Sequence, residues 1–150
     1  MAERFSWVLD NKLSGMERPG LYQDIQKDLN FLKDEGISVI VNLEEYIWEY
    51  PLFEQLHIPV GDFKPPKPED FETCMAFLTQ KISEDKRVLV HCHAGMGRTN
   101  LIIAAYIVTS EHIKPDLALD RVKNARPAHF VTEKQEESLW DYYYTLKTEK

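Results

Sequence analysis

Apolar residues recur along the chain in two kinds of segment, short uninterrupted runs and longer stretches with helical spacing. Two runs rich in β-branched residues, 37–43 and 87–91, predict buried strands. Shorter strands are predicted at 5–9, 12–15 and 55–60. Helical spacing predicts helices over 22–35, 69–83, 101–108, 115–125 and 132–146, of which 101–108 is apolar almost throughout. Strands that alternate with helices in this way indicate an α/β fold with a central, mostly parallel sheet flanked by helices.

Composition places the chain among single-domain globular proteins. Its 150 residues are 43% hydrophobic and 29% charged, which suits one domain spanning 1–150 with a substantial core. The net charge of -7 argues against binding to nucleic acid or to an anionic membrane, since both require a basic face. The sequence leaves the oligomeric state open, and we expect a monomer.

Cysteine content and the absence of targeting signals favour a cytoplasmic protein. No apolar run reaches membrane-spanning length, and residues 1–4 contain no signal-peptide core. The two cysteines, Cys74 and Cys92, are too few and too far apart for a disulfide framework. Cys74 lies in a helical pattern, so a buried thiol is expected there. A regulatory disulfide with Cys92 is the alternative.

The segment 88–99 carries the pattern that points to chemistry. A buried strand ends at Cys92, five residues follow, and Arg98 then opens a helix. Gly95 and Gly97 allow the backbone to curl so that its N–H groups point inward, and the helix N-terminus adds positive potential. Such a cradle favours an anion, either a phosphate or a thiolate. We therefore expect Cys92 to be a nucleophile and Arg98 to bind two phosphate oxygens.

We expect the remaining residues of this segment to share the task. Thr99 can donate its hydroxyl to the sulfur of Cys92 when that sulfur leaves. The residues predicted to bind the phosphate are those of the signature loop (residues 92–97) after the cysteine, together with the arginine, namely His93, Ala94, Gly95, Met96, Gly97 and Arg98.

The order His-Cys-x5-Arg-Thr in residues 91–99 resembles the signature of the cysteine-based protein tyrosine phosphatase superfamily. Three further segments resemble its small atypical dual-specificity branch, the VHZ-like phosphatases. These are the entry strand 5–8, the general-acid segment 58–66, and Arg126-Pro127 followed by Thr132 and Gln135. Two departures are Asn100, where the family usually has glycine, and 131–135, which keep only the threonine and glutamine of the usual run.

The resemblance implies a tyrosine phosphatase-like fold and a phosphatase that needs no metal or other cofactor and acts on phosphorylated proteins. Cys92 would attack phosphorus and form a phosphocysteine. Asp62 would protonate the leaving oxygen and then serve as the base for hydrolysis, with Gln135 positioning the water. The residues support Asp62 independently, because phosphate-ester cleavage needs an acid and this residue begins the proline-rich acid loop (residues 61–68).

Several nearby residues have two readings each. Glu44 and Glu45 follow a strand end and either face Arg98 or the acid loop, or form a solvated acidic turn. His91 either orders the signature loop and favours the thiolate, as the resemblance implies, or is a hydrogen-bonded core histidine. A metal site at 91–93 is not expected, since adjacent strand residues point to opposite faces.

Three other functions share parts of this pattern. A phosphate-binding module without catalysis would require a damaged constellation, and a sulfurtransferase of the rhodanese type would need neither Asp62 nor an Arg-Thr pair. Phosphoinositide phosphatases often carry lysines in the signature loop, and this loop has none. The sequence therefore favours a phosphoprotein carrying one phosphate, with phosphotyrosine and also phosphoserine or phosphothreonine as substrates of a shallow cleft.

Overall fold

A five-stranded sheet with the strand order β1-β2-β5-β3-β4 forms the centre of the computed structural model, which describes residues 5–148. The strands are β1 (Ser6–Leu9), β2 (Leu13–Met16), β3 (Ile37–Asn42), β4 (Glu54–His57) and β5 (Arg87–His91). Only the β1–β2 pair is antiparallel, and the other three pairs are parallel. The helices are α1 (Ile25–Asp34), α2 (Pro68–Ser83), α3 (Arg98–Glu111), α4 (Pro115–Ala125) and α5 (Glu133–Thr148). The predicted α/β class with a mostly parallel sheet is confirmed.

The sheet is buried on both faces because alternate side chains of its central strands point to two different cores. On β5, Val88 and Val90 join the larger core with α2 to α5, whereas Leu89 faces the smaller core beside α1. The same alternation holds on β3, where Val41 and Ile40 point to opposite faces. This arrangement explains why both strands appear in the sequence as continuous apolar runs.

The strand predicted at 55–60 is shorter than expected. β4 pairs with β3 only as far as His57, and Pro59 has no backbone N–H with which to continue the ladder. Ile58 and Val60 remain buried, and their N–H groups donate to carbonyls of Asn42 and Leu43 at 2.9 and 3.1 Å. The chain therefore follows the end of β3 irregularly and carries the acid loop to the same sheet edge as Cys92.

Two helices differ from their predicted bounds by three residues at one end or at both ends. The stretch from Tyr22 does not begin the first helix, which starts at Ile25 after Asp24 as its N-cap residue. The helix predicted at 101–108 extends from Arg98 to Glu111. Its C-cap residue, His112, has a left-handed backbone conformation. Its residues 98–108 are all buried, so α3 is the central helix of the larger core.

The described residues bear on two other expectations. Cys74 is fully buried on α2, and burial raises the pKa of its thiol to about 12. Both cysteines are free thiols. No helix within residues 5–148 is long and apolar enough to cross a membrane. Residues 1–4, to which the expectation about a signal peptide applies, lie outside the described residues.

Shortening a buried side chain on the central helix is expected to destabilise the fold strongly. Leu101 is fully buried on α3, so Leu101→Ala should lower the free energy of unfolding by about 2–5 kcal/mol. Leu117 on α4 is 53% exposed, and Leu117→Ala should change it by no more than about 0.5 kcal/mol. Urea denaturation of both variants measures the difference, and equal losses would contradict the central position of α3.

Candidate active site

The signature loop lies where the central strand of the sheet meets the central helix. β5 ends at His91, Cys92 follows directly, and α3 begins at Arg98. β2 and β3 flank β5 in parallel, so the strand end that carries the cysteine is held on both sides. The N-terminus of α3 therefore points its partial positive charge at the loop.

Cys92 and Thr99 are in direct contact. The hydroxyl of Thr99 donates to Sγ of Cys92 at 3.0 Å, and the two residues are 0% and 2% exposed, respectively. A hydroxyl donor stabilises negative charge on sulfur more than it stabilises the neutral thiol. The predicted pairing of these side chains is thus present in the structure.

Arg98 is buried between the signature loop and the acid loop. One terminal nitrogen donates to the carbonyl of Val60 at 2.7 Å, and the other lies 3.5 Å from a carboxylate oxygen of Asp62. Its Nε is buried and has no hydrogen-bond partner among residues 5–148. A buried guanidinium with an unused donor is suited to binding an oxyanion.

The acid loop folds over the signature loop and places Asp62 beside Arg98. The carboxylate of Asp62 is 57% exposed and accepts the N–H of Phe63 at 3.1 Å. Phe63 has a φ of +63°, a left-handed conformation that is uncommon for residues other than glycine. Contacts on both sides of this residue must therefore hold the turn that presents Asp62.

Gln135 supplies one of these contacts. Its side-chain amide donates to the carbonyl of Lys64 at 3.1 Å, and its Oε1 accepts the N–H of Thr132 at 3.0 Å. The side chain is buried at the start of α5 and also lines the cleft. Gln135 thus links the acid loop to the late loop (residues 126–132).

A cleft of about 210 Å³ opens above Cys92. The rings of Phe63 and Phe130 form an edge-to-face pair at its side, with centroids 5.9 Å apart and about 60% of each residue exposed. The lining residues belong to the acid loop, the signature loop and the segments that follow it, namely Asp62, Phe63, Cys92, Ala94, Met96, Gly97, Arg98, Phe130 and Gln135. The cleft therefore brings Cys92, Arg98, Asp62 and Gln135 together with Ala94, Met96 and Gly97, whereas the predicted site residues His93, Gly95 and Thr99 do not line it.

Three carbonyl oxygens of the signature loop accept hydrogen bonds from segments that are remote in the sequence. The pairs are Arg18 N with His93 O at 3.0 Å, the Arg126 guanidinium with Gly95 O, and Phe130 N with Met96 O at 2.8 Å. Carbonyls that are bonded outward leave the opposite side of the backbone, which carries the N–H groups, for the cleft.

Both loop glycines lie against other backbone segments. Gly95 has a φ of +76°, and a Cβ there would lie 2.6 Å from the carbonyl of Met16. A Cβ on Gly97 would lie 2.8 Å from the carbonyl of Phe130. The curl of the loop therefore depends on glycine for close approach at both positions and for backbone conformation at Gly95.

His91 is a fully buried, hydrogen-bonded histidine directly before Cys92. Its Nε2 lies 2.9 Å from the hydroxyl of Tyr50, and its Nδ1 lies 3.3 Å from the carbonyl of Cys92. A neutral ring with its proton on Nδ1 satisfies both contacts. Burial lowers the pKa of His91 to about 3, which keeps the ring neutral at physiological pH.

Glu44 does not occupy either predicted position. It is 4% exposed, so it is not a solvated turn residue, and it contacts neither Arg98 nor the acid loop. Its carboxylate lies 3.2 Å from Arg18 and 3.6 and 3.8 Å from Nδ1 of His93 and His91. Arg18 follows β2 and Glu44 follows β3, the two strands that flank β5, so the two side chains meet at the strand end that carries the signature loop. Glu45 is exposed, as a solvated turn residue would be.

Sequence reasoning missed two arginines and two aromatic residues of the site. The guanidinium carbon of Arg18 lies 4.6 Å from the centre of the Trp48 ring. Arg126 is 3% exposed and lies beneath the signature loop. The only signal for Arg126 was its place before Pro127, and nothing in the sequence marked Arg18. Phe63 and Phe130 were visible as aromatic residues in loops, but their convergence depends on the fold.

The family model described as "Tc-R-P: Polymorphic toxin system, DSP-PTPase phosphatase" matches residues 14–112, about two thirds of the chain. Dual specificity protein phosphatase 12 of Rattus norvegicus is 28% identical over 127 residues, which cover 73% of this chain and 35% of the relative. The phosphatidylglycerophosphate phosphatase PTPMT1 of Arabidopsis thaliana is 25% identical over 126 residues, which cover 78% of this chain and 37% of the relative. The chain thus spans roughly a third of the length of these relatives.

A solved structure has the same fold over nearly the whole chain. The crystal structure of Tk-PTP in the active form superposes with a TM-score of 0.81 at 24% identity. The match covers 96% of this chain and 99% of that one. The likeness includes α4, α5 and the late loop, which lie beyond the residues matched by the family model.

The buried neutral His91 should make the fold sensitive to acid. Unfolded His91 binds a proton below about pH 6.5, whereas the folded protein resists protonation down to about pH 3. The group therefore contributes stability above pH 6.5 that is lost as the pH falls towards 3, with a slope of at most about 1.4 kcal/mol per pH unit. Urea midpoints measured from pH 7 to pH 4 give the slope, which should be smaller in His91→Gln.

The exposed His112 provides the matched control for this comparison. Asparagine tolerates the left-handed backbone of that position, so His112→Asn should fold normally. Its slope should remain that of the parent protein. A parent slope that His91→Gln leaves unchanged would show that His91 is not the buried neutral group.

Proposed function

The chain belongs to the DSP-PTPase phosphatases, a small atypical dual-specificity group of the cysteine-based protein tyrosine phosphatase superfamily, and from this premise we propose that it hydrolyses phosphate monoesters through a phosphocysteine. The observation that carries the proposal is the convergence of three groups in one cleft. Cys92 lies at the floor, Arg98 beside it, and Asp62 on the loop above. A nucleophile, an oxyanion-binding group and a proton donor are the minimum set for this reaction.

The first half-reaction transfers the phosphoryl group to sulfur. The phosphate lies in the signature loop, where Nε and a terminal nitrogen of Arg98 donate to two of its oxygens. Sγ of Cys92 attacks phosphorus as the bond to the ester oxygen breaks. Asp62 gives its proton to that oxygen, so the alcohol leaves neutral. The products of this step are the free alcohol, a phosphocysteine and the Asp62 carboxylate.

The second half-reaction returns the enzyme to its starting state. Water attacks phosphorus and gives one proton to the Asp62 carboxylate, while the bond between phosphorus and sulfur breaks. The electron pair returns to Sγ, where the Thr99 hydroxyl, 3.0 Å away, stabilises the thiolate. Gln135 lines the same cleft and is the residue available to position the water.

A phosphorylated protein is the substrate class that the cleft favours. Phosphotyrosine fits best, because the exposed rings of Phe63 and Phe130 flank the opening and can contact an aryl group. The cleft is small and open enough to admit phosphoserine and phosphothreonine as well. The loop residues His93 to Gly97 include no lysine for a second phosphate, which argues against a phosphoinositide.

The nucleophile gives the direct test of the mechanism. Cys92→Ser should abolish hydrolysis of a phosphotyrosine peptide in metal-free buffer, because a serine hydroxyl in this cradle is a poor nucleophile. Inorganic phosphate should still bind, since Arg98 is retained. Steady-state turnover and phosphate titration measure the two effects. Cys74→Ala is the matched control, because it removes the other thiol and should keep turnover.

Activity of the serine variant within about tenfold of the parent would rule out the covalent route, since loss of such a nucleophile costs orders of magnitude. The same assay compares three esters in the parent protein: a phosphotyrosine peptide, a phosphothreonine peptide and a phosphoinositide. Hydrolysis of the lipid alone would assign the chain to lipid substrates instead. Phosphate binding without turnover of any ester would assign it to the binding modules.

Asp62 is expected to matter most where the leaving group is most basic. Asp62→Ala should slow a phosphotyrosine peptide by about 10²–10⁴-fold, the usual contribution of general acid catalysis. A nitrophenyl phosphate should be slowed much less, because nitrophenolate leaves without a proton. The measurement is kcat/KM for both esters, with Glu45→Ala as the control at an exposed carboxylate. Equal losses on the two esters would mean that another group is the acid.

A further inference from the structure

Asn100 stands one residue after Thr99 in the first turn of α3, where the family usually has glycine. It is fully buried, and both the oxygen and the nitrogen of its side-chain amide have hydrogen-bond partners. Its Oδ1 accepts from Nε of Arg126 at 2.7 Å. Its amide lies 3.1 Å from Nδ1 of His129 and 3.4 Å from the carbonyl of Ala128. Glycine at this position would offer none of these contacts.

Arg126 connects Asn100 to the phosphate cradle. Its two terminal nitrogens donate to the carbonyls of Gly95 in the signature loop and Gly15 in β2. A Cβ on Gly15 would lie 3.1 Å from the guanidinium carbon and 2.8 Å from a methyl group of Thr99. The guanidinium therefore fits closely against backbone on one side and is oriented by Asn100 through Nε.

The late loop is connected to the same point. The N–H of Phe130 donates to the carbonyl of Met96, and its ring forms one wall of the cleft. Ala128 and His129, immediately before it, contact the amide of Asn100. Burial and the nearby Lys123 and Arg126 lower the pKa of His129, which keeps its ring neutral and Nδ1 able to accept.

We infer that Asn100 is a positioning residue for phosphoryl transfer. It orients the guanidinium of Arg126 so that this group donates to the Gly95 carbonyl, and it links the guanidinium to the late loop. The signature loop and the Phe130 wall are then held as one unit. The inference rests on the proposed function, because the geometry being held is that of the phosphate cradle. Asn100 does not line the cleft, so it acts through Arg126.

Two substitutions separate this role from simple packing. Asn100→Ala removes the acceptor for Arg126, so phosphate affinity should fall by about tenfold or more and kcat should fall with it. Asn100→Asp keeps an oxygen for Arg126 and should retain both values within about threefold. The carboxylate would also lie against His129 and should raise the pKa of that histidine relative to the parent.

The measurements are phosphate affinity by calorimetry, kcat on a phosphotyrosine peptide, and titration of the His129 ring by NMR, all well below the melting temperature of each variant. Phosphate binding needs no turnover, so failure of the proposed function and failure of this inference are distinguishable. Asn100→Gly, the usual residue of the family, replaces the alanine variant if alanine prevents folding. Unchanged phosphate affinity and kcat in the alanine or glycine variant would overturn the inference, as would equal impairment in the aspartate variant.

Discussion

The site depends on one constraint, the outward hydrogen bonding of the signature-loop carbonyls. A backbone that curls around an anion directs its N–H groups to one side and its carbonyl oxygens to the other. Carbonyl oxygens that pack against other segments are costly without donors. Arg18, just after β2, supplies one donor, and the late loop supplies two, from Arg126 and Phe130. Segments outside residues 92–98 therefore contribute to the site by donating hydrogen bonds to the carbonyls of this loop.

The same constraint explains the close approach of backbone segments around the loop. Gly95 lies directly against the end of β2, and Gly97 lies directly against the late loop. Side chains at these positions would separate the loop from the segments that donate to it. Glycines in the loop thus allow the close approach, and the buried guanidinium of Arg126 donates to the loop across it. Arg18 and Arg126 give the region positive charge within a chain whose net charge is -7.

The sequence was informative wherever local pattern decides structure. The β-branched runs located β3 and β5, and the spacing from Cys92 to Arg98 located the centre of the site. Local pattern failed where the contact is long-range or where one residue interrupts a ladder. Pro59 ended β4 early, and Glu44 turned towards Arg18 because of strand placement rather than sequence neighbourhood. Arg126 bonds to a carbonyl 111 residues away, which no periodicity reveals.

The position of β5 between β2 and β3 has a consequence for how the protein folds. Its neighbours in the sheet come from near residues 13 and 37, and the donors to the adjoining loop come from both ends of the chain. Parallel pairing between distant segments must close long loops before any contact repays that entropy, so it forms slowly. Helical structure can arise early in such a chain, whereas the cradle is complete only when both halves have joined. We therefore expect any recovery of ligand binding during refolding to be a late event that reports assembly of the entire domain.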